Sequence, residues 1–239
     1  MKNSKKVKIA LGLFYFIVVS SFLYFFLTKF TLEELTTYEF IKDNRDYFFD
    51  LKRSNLFFLI LIFFFSTIIW ILMAGFATPL ALVAGFIFGK WLGTFVLVIG
   101  MSIGATILYI FASYFLKEII KKKFLTKFEI LEIKFKKSEF MYLLIYRFIG
   151  GIPFIISNVL PCIFDVKVKN FFLATAVGII PQIFLLVAIG SGIEEIINQN
   201  LGMPKISELI SSPDIYLPLV GFFFLIIISI ISRKLFYKK

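Results

Sequence analysis

RFIGGIPFIISNVLPCIFD, from Arg147 to Asp165, decides how the rest of the chain is read. It is apolar enough for a lipid bilayer, yet it opens on an arginine, carries Gly150, Gly151, Pro153 and Pro161, and holds Asn158 between the prolines. Proline removes a backbone donor and clashes with the preceding turn, and paired glycines loosen the chain, so the stretch predicts a broken or hairpinned segment. Non-helical backbone at membrane depth is tolerated only when packed in protein or lining a watery cavity. The stretch is therefore a candidate site.

Composition supports the membrane setting. Of 239 residues, 60% are hydrophobic and 17% charged, with a mean hydropathy of +0.95, well away from the soluble pattern of roughly half apolar and a quarter charged. The net charge of +11 points to cytoplasmic loops facing anionic lipid. Membrane lipids, through anionic headgroups, are the expected partners; nucleic acid is not, because no basic soluble domain is present. Histidine is absent and Cys162 is the single cysteine. That removes disulfides within the chain, the usual zinc sites and any Ser-His or Cys-His pair, so no metal, cofactor or enzymatic activity is expected.

Working outward, five segments emerge. Residues 1–30 form a lysine-rich tail and an uncleaved anchor, long enough for one crossing at about 20 residues. Residues 31–54 are polar and mixed in charge; Thr31 and Glu34 have capping-box spacing, predicting a short surface helix. Residues 55–192 are the membrane domain, 193–214 a polar segment, and 215–239 a last span with a basic tail. Lys117 to Lys137 reads as a basic amphipathic helix on the cytoplasmic face.

The positive-inside rule then fixes an arrangement. Basic residues dominate both termini and Lys117–Lys137, while 31–54 and 193–214 are acidic or mixed. For these to lie on opposite sides, 55–90 must enter and leave from outside and 140–165 from inside, each a re-entrant hairpin bent at its Gly/Pro cluster. Each is followed by a full span, Trp91–Leu116 and Phe171–Gly190. A full span over Asn55–Gly75 is the alternative, and it would place eight lysines outside. The expected fold is all-α and polytopic: an inverted repeat of two hairpins and two spans between terminal transmembrane helices, as in many transporters. Both termini are expected in the cytoplasm, in the cell inner membrane.

Within that frame, Gly89 with Gly93, Gly100 with Gly104 and Ala174 with Gly178 are spaced for close helix contact. Pro181 and Gln182 break the run after Asn170. Arg147 is the sharpest functional candidate, because a guanidinium inside an apolar segment costs about 2.5 to 3.5 kcal/mol on insertion scales. Either a phosphate offsets that cost through the fork geometry of the guanidinium, or the side chain snorkels to the inner interface. Asn158 and Gln182 can serve a headgroup or the freed backbone of the hairpins. Thr78, Ser102, Thr106 and Tyr109 either continue a polar track or bond between helices.

The pattern P-L-x-x-x-A-G-x-x-F-G-x-x-x-G at Pro79, Leu80, Ala84, Gly85, Phe88, Gly89 and Gly93 is followed by R-x-x-x-x-x-P-F-x-x-x-N at Arg147, Pro153, Phe154 and Asn158, then by Gly178, Pro181 and Gly190. Over Leu56–Gly192 the chain resembles the SNARE-associated Golgi protein family, also called VTT-domain or DedA-like membrane proteins. The resemblance implies facing re-entrant hairpins and a lipid scramblase or flippase acting on phospholipid or polyprenyl phosphate, in support of membrane homeostasis. It implies a substrate site at Arg147, Pro153, Asn158, Gln182, Pro79, Gly85 and Gly89. The acidic residue that the bacterial DedA branch carries in its first hairpin is missing from Gly75–Gly93, so the likeness is to the branch without it. An ion-coupled secondary transporter of a small solute and a non-transporting membrane organiser are the alternative functions.

Overall fold

The computed structural model describes residues 38–73, 75–118, 137–149 and 153–198, with isolated positions at 17–24, 120, 122 and 213–227. Both terminal spans, the capping box at Thr31, most of Lys117–Lys137, residues 199–212 and the Gly150–Gly151 pair lie outside the described residues. Among those described, every regular element is helical: α1 (Tyr38–Leu72), α2 (Ala77–Phe115), α3 (Glu139–Ile149), α4 (Phe154–Val159), a 3-10 helix (Leu160–Phe164), α5 (Val168–Gly178) and α6 (Ile180–Asn198). Two segments are long and apolar enough to cross a membrane, Phe49–Leu72 and α2, and α5 with α6 makes a third if that pair, bent by 42°, counts as one span.

α1 is two helices in one. Asn55 leaves helical geometry at φ −156°, ψ 76°, and its Oδ1 accepts the Phe58 backbone N–H at 3.1 Å, an N-cap that opens the apolar stretch. The polar helix before it begins by Tyr38, and Phe49 turns its ring edge-on to Phe86 at 6.0 Å. After Asn55 the buried stripe Leu59, Phe63, Thr67 and Ile71 recurs every fourth residue, while Phe57, Phe58, Ile62, Phe65 and Ile69 face outward. One face thus packs and the other is left for lipid.

The chain reverses after Leu72. The Trp70 indole donates to the Phe76 carbonyl at 2.9 Å, and a Cβ on Gly75 would fall 2.1 Å from that indole nitrogen. The bend is therefore at 73–76; Pro79, expected at the bend, instead sits in the first turn of α2, where its missing N–H has no helical partner to lose.

A second reversal splits α2 at Gly89, whose φ of 76° and ψ of 174° lie where L side chains are strained. It produces a short arm (77–88) and a long arm (90–115). The arms fold back on each other, since a Cβ on Gly93 would lie 2.6 Å from the Ala84 carbonyl oxygen. Gly89 is thus a turn residue, and nothing lies within 4 Å of where its Cβ would be; the packing role that its spacing suggested falls to Gly93 alone. Gly100 faces Thr67 and Gly104 faces Ile71, so the long arm runs in the same direction as α1.

The second half has the same order of elements. α3 leads, beyond the undescribed 150–152, to α4 and the 3-10 helix, and the chain reverses at Asp165, whose φ is 53°. Gly89 and Asp165 are the two positive-φ positions among the described residues. α5 runs alongside α3 in the same direction: Glu139 Oε2 accepts from Lys167 N at 3.0 Å and Asn170 Nδ2 at 2.7 Å, and Gly178 faces Leu144 and Arg147. Against the first half the direction is opposite, because Tyr109 stacks on Phe171 at 4.3 Å while Trp91 meets Phe184 at 5.0 Å. The bend between α5 and α6 falls where Pro181 and Gln182 predict a break.

α6 closes the molecule against the short arm of α2. A Cβ on Gly85 would lie 1.9 Å from the Val187 carbonyl oxygen, and one on Gly190 would lie 2.2 Å from that of Leu82. These are backbone obstructions that no rotamer change relieves. Gly85→Ala is expected to lower stability by about 1 to 3 kcal/mol, whereas Gly221→Ala, with nothing within 4 Å, should be neutral; thermal unfolding in detergent measures both.

Candidate functional site

α3 carries Arg147 near its C-terminal end, and α5 must approach closely for the site to exist. Gly178 permits that approach, since a Cβ there would lie 2.6 Å from Arg147 Cβ and 3.2 Å from the Leu144 carbonyl oxygen. The guanidinium then points inward and Arg147 is only 4% exposed. Its Nη2 donates to Asn158 Oδ1 at 2.6 Å and its Nη1 donates to Ser157 Oγ, both from α4. The Ser157 hydroxyl in turn donates to the Phe154 carbonyl at 2.7 Å.

Two rings bracket the cation, Phe154 at 5.3 Å and Phe171 at 5.2 Å, each a cation–π contact. Phe171 is itself stacked on Tyr109 with the planes 13° apart, and the Tyr109 hydroxyl donates to the Val166 carbonyl. A line of aromatic contacts therefore runs from α2 through α5 to Arg147. Both hydrogen-bond acceptors of the guanidinium are neutral, so among the described residues its charge is offset by dipoles and ring faces rather than by a carboxylate.

Depth follows from helix geometry. The start of α5 lies in a charged ring: Lys117 pairs with Asp165, and Glu139 caps Lys167 and Asn170. α5 has 11 residues and rises about 15 Å at 1.5 Å per residue, which places Gly178, and Arg147 against it, well away from that ring. From there the side chain turns back along α5, its guanidinium carbon standing 5.2 Å from the Phe171 ring two turns before Gly178, while Arg147 stays buried.

Gln182 contributes by holding the backbone. Its Nε2 donates to the carbonyls of Arg147 at 2.9 Å and Phe148 at 3.1 Å, two of the last carbonyls of α3, which have no partner within their own helix. Of the two roles open to it in the sequence, this is the backbone one. Asn158 has the other kind of place: it is 0% exposed, accepts from Arg147, and leaves its Nδ2 without a partner. Arg147 Nε is likewise without one.

The remaining expected residues are not brought to Arg147. Pro153 is exposed at the N-cap of α4, Pro79 starts α2, Gly85 packs on Val187 and Gly89 makes the turn. The expected polar track is used up locally: Ser102 donates to Val98 O at 2.7 Å, Thr106 to Ser102 O at 2.7 Å, Tyr109 to Val166 O, and Thr78 is exposed. Ser157, Phe154 and Phe171 were missed as site residues, although Ser157 adjoins Asn158 and Phe154 follows Pro153 in the quoted motif.

Residues 75–192, which contain both hairpin turns around Gly89 and Asp165 and the whole Arg147 cluster, match the family model of the VTT domain. The chain carries a VTT domain. A relative, the uncharacterized protein YqeD of Bacillus subtilis (strain 168), is 30% identical over 118 residues, covering 47% of this chain and 57% of that protein. The chain thus spans a little over half the length of that relative. No solved structure matches it. The VTT domain here is a helical membrane domain whose first arm, turn and span precede the arginine-bearing half.

Removing the Gln182 amide would take this donor from two part-buried carbonyls. Gln182→Leu is expected to cost about 1 to 3 kcal/mol in detergent thermal unfolding, with Gln182→Glu no better, because a carboxylate cannot donate.

Proposed function

We propose that this VTT-domain protein translocates phosphate-bearing lipids, phospholipid or polyprenyl phosphate, across the membrane as a scramblase or flippase, with Arg147 as the headgroup contact. The observation that carries this reading is a buried guanidinium with neutral acceptors and an unused donor. A cation so placed in an apolar bundle is costly, and a phosphate oxygen accepting from the guanidinium would both neutralise its charge and fill its remaining donor.

The architecture supports the same reading. The order first arm, short arm, positive-φ reversal and span occurs twice among the described residues with opposite directions, which agrees with an inverted repeat of re-entrant hairpins. The Arg147 backbone lies about 15 Å along α5, near half of a hydrocarbon core about 30 Å thick, with its guanidinium between that level and Phe171. Such a position suits a headgroup passing between leaflets while its acyl chains stay in lipid. In this reading the termini lie in the cytoplasm and the protein resides in the cell inner membrane, with Asn158 assisting Arg147 while Gln182, Gly85, Gly89, Pro79 and Pro153 shape the hairpins around them.

The absence of an acidic residue from the sequence of α2 favours translocation that is not driven through a carboxylate relay. Purified protein in liposomes with a fluorescent phospholipid is the test. Arg147→Gln is expected to slow translocation at least about tenfold, since a lost charge-assisted hydrogen bond is worth about 1.5 to 3 kcal/mol, with thermal unfolding confirming that the variant folds. Unchanged translocation would remove Arg147 from the mechanism.

A further inference from the structure

α5 places one more polar group at the cation. Phe171, Thr175 and Gly178 are spaced four and three residues apart and share one face of the helix. The two outer members both touch Arg147, Phe171 through its ring and Gly178 through its backbone. Thr175, between them, therefore faces the same side chain. It is 1% exposed, and its Oγ1 has no hydrogen-bond partner.

That is not the ordinary state of a helical hydroxyl in this protein. Thr67, Thr94, Ser102 and Thr106 each donate to the carbonyl four residues earlier, at 2.9, 2.6, 2.7 and 2.7 Å. A buried polar atom without a partner is unfavourable. Here Thr175 Oγ1, Asn158 Nδ2 and Arg147 Nε are all without one, as is the hydroxyl of the neighbouring Tyr146. The amide and guanidinium N–H groups only donate, whereas a hydroxyl donates or accepts, and none of these atoms bonds another here.

Resting on the reading of Arg147 as a phosphate contact, we propose that Thr175 joins Arg147 and Asn158 in one internal site that selects a phosphate group carrying a single net negative charge. Three donors match the oxygens of a phosphate, and one guanidinium balances one negative charge. Among the described residues the cluster's partners include no carboxylate for an ammonium headgroup, and both rings already face the guanidinium. A zwitterionic headgroup would leave the site with its net charge unbalanced in a medium of low dielectric. An anionic phosphodiester lipid is therefore preferred over a zwitterionic one.

The test uses the full chain in neutral detergent, with short-chain phosphatidylglycerol, short-chain phosphatidylcholine and inorganic phosphate as probes, read by the ligand-dependent rise in thermal midpoint. Phosphatidylglycerol is expected to raise the midpoint at concentrations where phosphatidylcholine does not. Thr175→Val should need about tenfold more phosphatidylglycerol for the same rise, while its ligand-free midpoint equals or exceeds that of the unaltered protein, because an unsatisfied hydroxyl has been removed. Thr175→Ser should bind like the unaltered protein. Asn158→Asp keeps the acceptor for Arg147 but adds a negative charge, and should abolish the preference for phosphatidylglycerol. Equal response to the two lipids, or unchanged affinity in Thr175→Val, overturns the inference; a rise with inorganic phosphate equal to that with lipid assigns the site to a free anion and overturns its lipid part. Arg147-dependent translocation in vesicles is read separately: if it occurs without phosphatidylglycerol binding, only this inference fails, and if binding occurs without translocation, only the translocation reading fails.

Discussion

A guanidinium held inside an apolar helical bundle, with neutral groups for partners, constrains everything within reach of it. Arg147 Nη1 and Nη2 each require an acceptor, and Ser157 and Asn158 supply them only because α4 begins at Phe154 and presents adjacent polar residues to α3. The cation requires polarisable neighbours, and Phe154 and Phe171 stand on either side of it. The backbone bearing it ends a helix, and Gln182 satisfies the carbonyls left over there. These partners come from α4, α5 and α6, so the second half of the domain is organised around one side chain.

Such an arrangement depends on helices approaching more closely than ordinary side chains allow. In a bilayer, burial from water does not drive helix against helix, and packing through small residues takes its place. Gly178 brings α5 to Arg147, Gly85 and Gly190 bring α6 to the short arm of α2, and Gly100 and Gly104 bring α1 to the long arm. Gly89 and Asp165 then let short arms return within the bundle. The polar contacts near Asp165, Lys117 and Glu139 hold the second reversal at a charged edge, leaving the interior to Arg147 and its hydroxyl and amide neighbours.

Much of this was legible in residue types. The first Gly/Pro cluster announced a reversal, small-residue pairs announced the Gly100, Gly104 and Gly178 contacts, and Arg147 with Asn158 stood out because polar groups are rare in such a run. The sequence did not distinguish a packing glycine from a turning one: Gly89 and Gly93 have the same spacing, and only φ separates their roles. Pro79 looked like the bend because proline breaks helices, yet proline is equally at home in a first turn, which is where it sits. Phe171 and Thr175 were hidden for another reason. Among 34 phenylalanines one ring is indistinguishable from lipid-facing neighbours, and a lone helical threonine signals nothing until its usual carbonyl bond is found missing.

The VTT domain thus presents helices that run in opposite directions in its two halves, one of which holds a buried cation with a donor to spare. A phosphate at that position would join architecture to function, and its proximity can be measured without any transport assay. The direct measurement is the dipolar coupling between 15N-labelled arginine Nε and lipid 31P, by solid-state NMR of the protein in phosphatidylglycerol-containing bilayers, with the Arg147 signal assigned by its loss in Arg147→Lys. The expected result is 31P dephasing of the Arg147 Nε signal, marking a phosphate within hydrogen-bonding range of the buried guanidinium. An Arg147 Nε signal unaffected by 31P, alongside dephased signals from arginines at the membrane surface, would contradict the account.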